Sequence, residues 1–214
     1  MKETHVFHRW LGRVSYEEGL KLQESLVDRL IAGDHTNYLL LLEHEPVYTM
    51  GRNRDESSLG DVGTLPHPLH RTNRGGQATF HGPGQLVGYP LLDLGLFDRD
   101  LHSYLRFLEE VLITLLAGHG VKGERVAGKT GVWVNERKIA SLGIGVRRWI
   151  SMHGFAINIC GDLTPFSSIT PCGLSGVFMT SLEAEQAGLV TVESCAYELI
   201  QIFNELLGKR IKER

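Results

Sequence analysis

Cysteine is scarce in this chain, at three of 214 residues, and proline is limited to seven. Cys160, Cys172 and Cys195 have neither the spacing of a disulfide framework nor that of a thiolate metal site, which points to a reducing compartment. Ten histidines are present, but HExxH and closely paired His/Cys arrangements are missing, so no metal site is expected. Positive charge is not in excess either. The formal net charge is −3 and the pI about 6.4, which leaves no global field to hold nucleic acid. The longest apolar runs, near Tyr38–Leu42 and Val111–Ala117, fall far short of the roughly 20 residues a bilayer span needs. The opening MKETHVFHRWLGRV lacks the apolar core of a secretory signal. Repeats, low-complexity tracts and linkers are also missing. A chain that is 42% hydrophobic can bury a full core. The expectation is a single domain over residues 1–214, soluble and cytoplasmic, or in an organelle matrix if a transit peptide has been removed.

Glycine, by contrast, is abundant, with 25 residues. It is concentrated in RGGQATFHGPGQ (Arg74–Gln85), which holds four glycines, a proline and one histidine and runs straight into LVGYPLLDL. Glycine inside a regular element costs roughly 0.5–1 kcal/mol relative to alanine. One recurring reason to accept that cost is close approach of backbone to a ligand.

The elements around this stretch can be read from periodicity. Thr4–Leu11 is strand-like. Ser15 with Glu18 forms a capping box that opens a helix to about Ala32, with Gly33 ending it. Asn37–Leu42 suits a buried strand. Gly51–His70 reads as a long exposed loop, followed by strands near Arg71–Thr72, Gln77–Phe80 and Leu86–Leu92. A second helix spans Leu101–His119, with Leu101, Leu105, Leu108, Leu112, Leu115 and Leu116 on one face. Strands Gly131–Val134, Lys138–Arg147 and Ile150–Ile159 follow, the first two joined by a tight turn at Asn135–Arg137. An irregular stretch from Cys160 to Met179 precedes a last helix, Val192–Leu207. Helices around runs of strands give an α+β or α/β sheet protein.

The three cysteines differ in setting. Cys160 ends the apolar run FAINIC and Cys195 shares a helix face with Leu199, Ile202 and Leu206, so both read as packed thiols. Cys172 lies in SSITPCGLSG between a proline and a glycine, where a loop can expose and orient a nucleophile. A thiolate needs a nearby cation or base. His81, Lys129 in AGKTG and Lys138 in ERKIASLGIG are the candidates, and local sequence does not rank them. Gly123–Thr130 reads GERVAGKT and so has the bare G-x-x-x-x-G-K-T spacing of a phosphate loop, but a strand-like run at Gly131–Val134 follows it where that loop needs a helix. Phosphate cradling by RGG backbone amides keeps an ATP-using enzyme open as an alternative.

Five segments together resemble one family. LLEHEPVYTMGR (Leu41–Arg52), RGGQATFHGPGQLVGYPLLDL (Arg74–Leu94), TGVWV (Thr130–Val134), KIASLGIGVRRWISMHGFAINI (Lys138–Ile159) and FSSITPCGL (Phe166–Leu174) are similar to the octanoyl-[acyl-carrier-protein]:protein N-octanoyltransferases. These are also called lipoyl(octanoyl) transferases or lipoate–protein ligase B. The resemblance implies a biotin/lipoate protein ligase-like fold, α+β, with a mixed β-sheet flanked by helices. It implies a catalytic dyad at Cys172 and Lys138, and substrate binding by Arg74, Gly75, Gly76, Gln77, Ala78, Thr79, Phe80 and His81. Ser141, Leu142 and Gly143, with Gly154, Phe155 and Ala156, complete the implied acyl pocket. The implied donor is octanoyl-acyl carrier protein. The implied acceptors are apo lipoyl domains of 2-oxoacid dehydrogenase complexes and the glycine cleavage H protein. No cofactor and no ATP are implied, because a thioester donor is already activated. The chain departs from the family pattern at Gly145, where a larger residue is usual, and in the additional Lys129. The rival readings are an ATP-dependent lipoate or biotin ligase of the same fold and a non-catalytic scaffold for carrier protein or lipoyl domain.

Overall fold

The computed structural model of the protein describes residues 6–53, 56–59, 62–170, 176–186 and 188–212. The first helix, α1 (Tyr16–Ile31), opens on the capping box: the Glu18 N–H donates to the Ser15 hydroxyl while the Ser15 N–H donates to the Glu18 carboxylate. It closes at Ala32, and Gly33 follows at φ +106°. The strands are β1 (Val6–Val14), β2 (Asn37–His44), β3 (Val47–Met50), β4 (Leu69–Arg71), β5 (Ala78–His81), β6 (Gln85–Leu91), β7 (Glu124–Val126), β8 (Lys129–Val134), β9 (Arg137–Arg147) and β10 (Ile150–Asn158). Seven of them form one mixed sheet in the order β1-β2-β6-β10-β9-β8-β7, parallel between β1 and β2 and antiparallel elsewhere. A smaller sheet, β4-β3-β5, leans on it.

The continuous apolar run in β2 has two buried faces to serve. Leu39 and Leu41 join the larger core, which is covered by α2 (Leu101–Gly118) and α4 (Val192–Lys212). Tyr38, Leu40 and Leu42 face the opposite way, into the core under α1. The α2 stripe is rotated from the leucine reading. Leu101 is exposed and Leu105 half-buried, because Tyr104 and Phe107 take the inner positions and pack edge-on against Phe97 and Phe203. The α4 helix also runs past Leu207 to Lys212, because Ile211 still packs against the larger core and Arg210 lies over the Phe97 ring. Two-residue turns at Asn135–Glu136 and Arg148–Trp149 join β8 to β9 and β9 to β10. All four residues sit at positive φ, as tight hairpin turns of this hand require.

Two readings of loops need correction. Within Gly51–His70 lie single turns of 3₁₀ helix at Glu56–Ser58 and Val62–Thr64, and Ser58 and Leu59 are fully buried. Leu59 joins Tyr48, Met50, Phe80, Phe166 and Ile169 in a third core beneath the small sheet, which explains why this segment is held down. The stretch after Cys160 contains a 3₁₀ turn at Thr164–Ser168, and a short helix, α3 (Leu182–Gln186), follows it. No helix among the described residues is long and apolar enough to cross a membrane.

Candidate active site

A cleft of about 490 Å³, its open mouth included, lies where β5, β6, β9 and β10 converge over the start of α1. It is lined by Arg74, Gly76, Gln77, Thr79 and His81 from the glycine-rich stretch, by Ser141, Leu142 and Gly143 of β9, and by Gly154, Phe155 and Ala156 of β10. Tyr16, Val87, Tyr89 and His153 complete it. Strand alternation divides the glycine-rich stretch. Thr79 and His81 face the cleft, whereas Ala78 and Phe80 of the same strand point into the third core. Gly75 lies outside this cleft and lines a neighbouring one.

The glycines are explained by contact between backbones. The Gly75 N–H donates to the Ile144 carbonyl at 2.8 Å, which lays the RGG turn directly on β9. A methyl group at Gly143 would come within 3.0 Å of the Gly75 carbonyl, and one at Gly51 within 2.2 Å of the Gly76 carbonyl. Side chains at these positions would push the turn off the strand and alter the cleft wall. Across the cleft, β10 is distorted: His153 sits at φ +55° within the strand. Its N–H donates to the side chain of Gln23 of α1 at 2.8 Å.

The polar groups of the cleft form one buried chain. Gln85 Nε2 donates to the Phe80 carbonyl and to Asn158 Oδ1, so its Oε1 is the acceptor facing His81 Nδ1 at 2.7 Å. That arrangement makes His81 the Nδ1–H tautomer and leaves its Nε2 lone pair toward the Thr49 hydroxyl, 3.4 Å away. The Arg74 guanidinium donates to the Thr49 carbonyl and hydroxyl at 2.7 and 2.8 Å. At the other end, Asn158 Nδ2 donates to the Thr180 carbonyl at 2.9 Å. Burial, reinforced by His44 and Arg74, pushes His81 down to about 3. Burial likewise lowers His44 and His153 to about 4. All three are neutral imidazoles at physiological pH.

Lys138 is fully buried at the start of β9. Its ammonium stands 5.5 Å from the centroid of Trp133. Its main chain is paired with the segment that follows Cys172: the Lys138 N–H donates to the Phe178 carbonyl at 2.8 Å, and the Thr180 N–H to the Lys138 carbonyl at 3.0 Å. Cys172 itself lies outside the described residues. On its near side, the Thr170 N–H donates to the Ser58 carbonyl at 2.7 Å. The other two thiols are unsuited to attack. Cys195 is buried and pushed up to about 12 by desolvation first and Glu198 second. Cys160 is half-buried rather than wholly packed, and burial, then Glu183 and Glu43, raise its pKa. Lys129 is the first residue of β8, with its ammonium 5.0 Å from the centroid of the same Trp133 ring. Among the described residues no group of three or more His, Cys, Asp or Glu side chains is placed to hold a metal ion.

Residues 15–204 match the model of the lipoyl protein ligase A/B catalytic domain. The chain is 54% identical to an octanoyltransferase of Geobacter sulfurreducens over 182 residues, 85% of this chain and 76% of that one. It is 50% identical to an octanoyltransferase of Syntrophotalea carbinolica over 197 residues, 92% of each chain. The chain belongs to the octanoyltransferase family. The fold agrees with that of a lipoate protein ligase from Thermoplasma acidophilum solved with lipoic acid, at a TM-score of 0.76 and 18% identity over 95% of this chain and 86% of that one.

Family membership makes the chain an acyltransferase. Within that frame, the residues that sequence reasoning missed come from elements remote in the chain. Tyr16 is the first residue of α1, Tyr89 lies mid-strand in β6, and His153 carries no local signal except the glycine that follows it. Tyr16 and His81 are stacked with planes 10° apart and centroids 6.5 Å apart, a contact only the fold creates.

Proposed function

We propose that the chain takes an octanoyl group from octanoyl-acyl carrier protein onto Cys172 and passes it to one lysine of an apo lipoyl domain, in the cytoplasm. The acceptors on this reading are the lipoyl domains of 2-oxoacid dehydrogenase complexes and the glycine cleavage H protein. The observation that carries the reading is the cleft between the RGG turn and β9–β10, together with the return of the chain after Cys172 onto the backbone of Lys138. Burying the acyl tail contributes on the order of 5 kcal/mol, at about 0.8 kcal/mol per methylene over roughly seven carbons.

The chemistry has two halves. The Cys172 thiolate attacks the thioester carbonyl carbon, a new C–S bond forms, and the bond to the carrier's thiol breaks as that sulfur takes up a proton. The lysine amine of the lipoyl domain then attacks the acyl-enzyme. A C–N bond forms, the proton from nitrogen passes to Lys138, and Cys172 leaves as thiolate. In its charged form Lys138 stabilises the thiolate, and in its neutral form it receives the amine's proton. Thioester to amide runs downhill, so ATP has no role.

Intact-mass measurement after incubation with octanoyl-carrier protein tests this. A gain of one octanoyl group, released by hydroxylamine and mapped to the Cys172 peptide, is expected. Transfer to an apo lipoyl domain should proceed with EDTA and without ATP. Acylation that persists in Cys172→Ala, or an absolute requirement for ATP, would overturn the reading.

A further inference from the structure

A second cleft, of about 860 Å³ including its open side, adjoins the first. It runs between Leu105 of α2, Lys129 and Thr130 of β8, and Ile144 of β9, and it shares Gly76, Gln77, Leu142 and Gly143 with the acyl cleft. The RGG turn, pinned to Ile144, is therefore a ridge with a pocket on each side. We infer that this second cleft receives the amide-bearing pantetheine portion of the donor, with Lys129 donating to one of its carbonyl oxygens. The inference rests on the acyl-transfer reading proposed above.

Three observations support it. The donor's acyl chain and its thiol arm leave the same carbonyl carbon in different directions, so a site for one requires an opening for the other. The shared wall at Gly76 and Gly143 is that junction. The lining suits the ligand: Leu105, Leu142 and Ile144 give apolar surface, while Lys129 and the Thr130 hydroxyl give polar groups to an alkyl chain interrupted by amides. Finally, the cleft's lysine shares an aromatic ring with Lys138. Lys129 and Lys138 place their ammonium groups 5.0 and 5.5 Å from the centroid of one buried indole, Trp133. A lysine that shares its indole with Lys138 fits the inner amides of the arm and not its distal phosphodiester. Lys129 has no carboxylate at ion-pair distance among the described residues, and its ammonium is held by the ring rather than by a competing anion.

The test compares two soluble donors, octanoyl-pantetheine and the octanoyl thioester of ethanethiol, which carries no amide. The measured quantity is the ratio of kcat/KM between them, in which any effect on Lys138 or Cys172 common to both donors cancels. The wild type should favour the pantetheine donor. Lys129→Met should lower the ratio about tenfold, the loss expected when a charged donor is withdrawn from a carbonyl. Lys129→Arg should restore part of it. Thr130→Trp, which fills the cleft without touching the charge, should lower the ratio as well. Adding the phosphate, as octanoyl-4′-phosphopantetheine, should leave the Lys129→Met effect the same size. A ratio that is equal in wild type and all variants, or a wild type indifferent to the arm, overturns the inference while acyl transfer stands. If neither donor acylates the wild-type protein while octanoyl-carrier protein does, the arm site falls alone; if octanoyl-carrier protein fails too, the acyl-transfer reading falls and takes the arm site with it.

Discussion

Lys138 is a lysine with no exposed surface, a state that lysine adopts only with compensation from its surroundings. Part of that compensation is visible in Gly131. A methyl group there would lie 2.7 Å from Lys138 Cε and 2.6 Å from the Ala140 carbonyl, at a φ of +129°. Glycine at 131 is thus the space in which the lysine side chain runs. Gly131→Ala should cost about 1–3 kcal/mol of stability and displace Lys138, so the loss of transfer activity should exceed what the fraction unfolded explains. Parallel denaturant titration and rate measurements check this, and wild-type activity in a folded Gly131→Ala protein would contradict it. The lysine itself separates two roles. Lys138→Met should slow octanoyl transfer by about 10²–10⁴-fold, the range for loss of a general base, and should slow alkylation of Cys172 by iodoacetamide near neutral pH. Lys138→Arg keeps the charge but cannot release its proton in practice. It should therefore preserve much of the alkylation rate while failing in the aminolysis half. If Lys138→Met transfers normally while Lys129→Met or His81→Ala is inactive, the base is one of those residues.

The helix α1 braces the cleft wall through Gln23, whose side-chain carbonyl accepts the N–H of the strained His153 in place of a neighbouring strand. Gln23→Leu removes that acceptor from a fully buried site, which should cost about 1–3 kcal/mol. It should also loosen the β10 wall, so that KM for the acyl donor rises more than kcat falls. A change in stability with KM untouched would show that the bend in β10 is held by other contacts. Gln23 also illustrates what sequence can and cannot disclose. The α1 capping box, the buried apolar strand at β2, the tight turn within Asn135–Arg137 and the two strands that follow it are encoded by near neighbours, and the structure has them where local pattern placed them. The departures all depend on distant partners. Val47–Met50 becomes a strand only because β4 and β5 flank it. The α2 stripe turns toward Phe97 and Phe203, and Leu59 is buried by residues more than a hundred positions away, Phe166 and Ile169. The cleft was half-legible for the same reason. Its glycines and small residues stand out in the chain, whereas Tyr16, Tyr89, Gln23 and His153 acquire their roles only when α1, β6 and β10 meet.

Taken as one folded unit, the protein buries three imidazoles, two of them in ring contact and two under the charge of Arg74, and this sets how it responds to acid. His44 and His81 lie with ring centroids 5.8 Å apart, Tyr16 packs against both, and Tyr89 bridges from His44 to His153. Burial holds His44 and His153 down at about 4 and His81 at about 3, from a usual value of 6.5. In the unfolded chain each takes up its proton as pH falls through about 6.5; in the folded protein none does until pH 4 or below. Between those limits the unfolded state binds more protons, so stability must fall as pH is lowered and level off above neutrality. The urea midpoint should therefore drop continuously from about pH 7 to about pH 4.5, and unfolding near pH 5.5 should be accompanied by net proton uptake approaching one per buried histidine. His81→Asn should reduce that uptake by about one proton and flatten the slope, although it lowers stability at neutral pH by removing the Gln85 hydrogen bond. Midpoints that do not move between pH 7 and 4.5, or an unchanged slope in His81→Asn, would mean that these imidazoles already carry protons in the native cleft. In that case the positive charge beside Arg74 would have to be balanced by a group on the substrate.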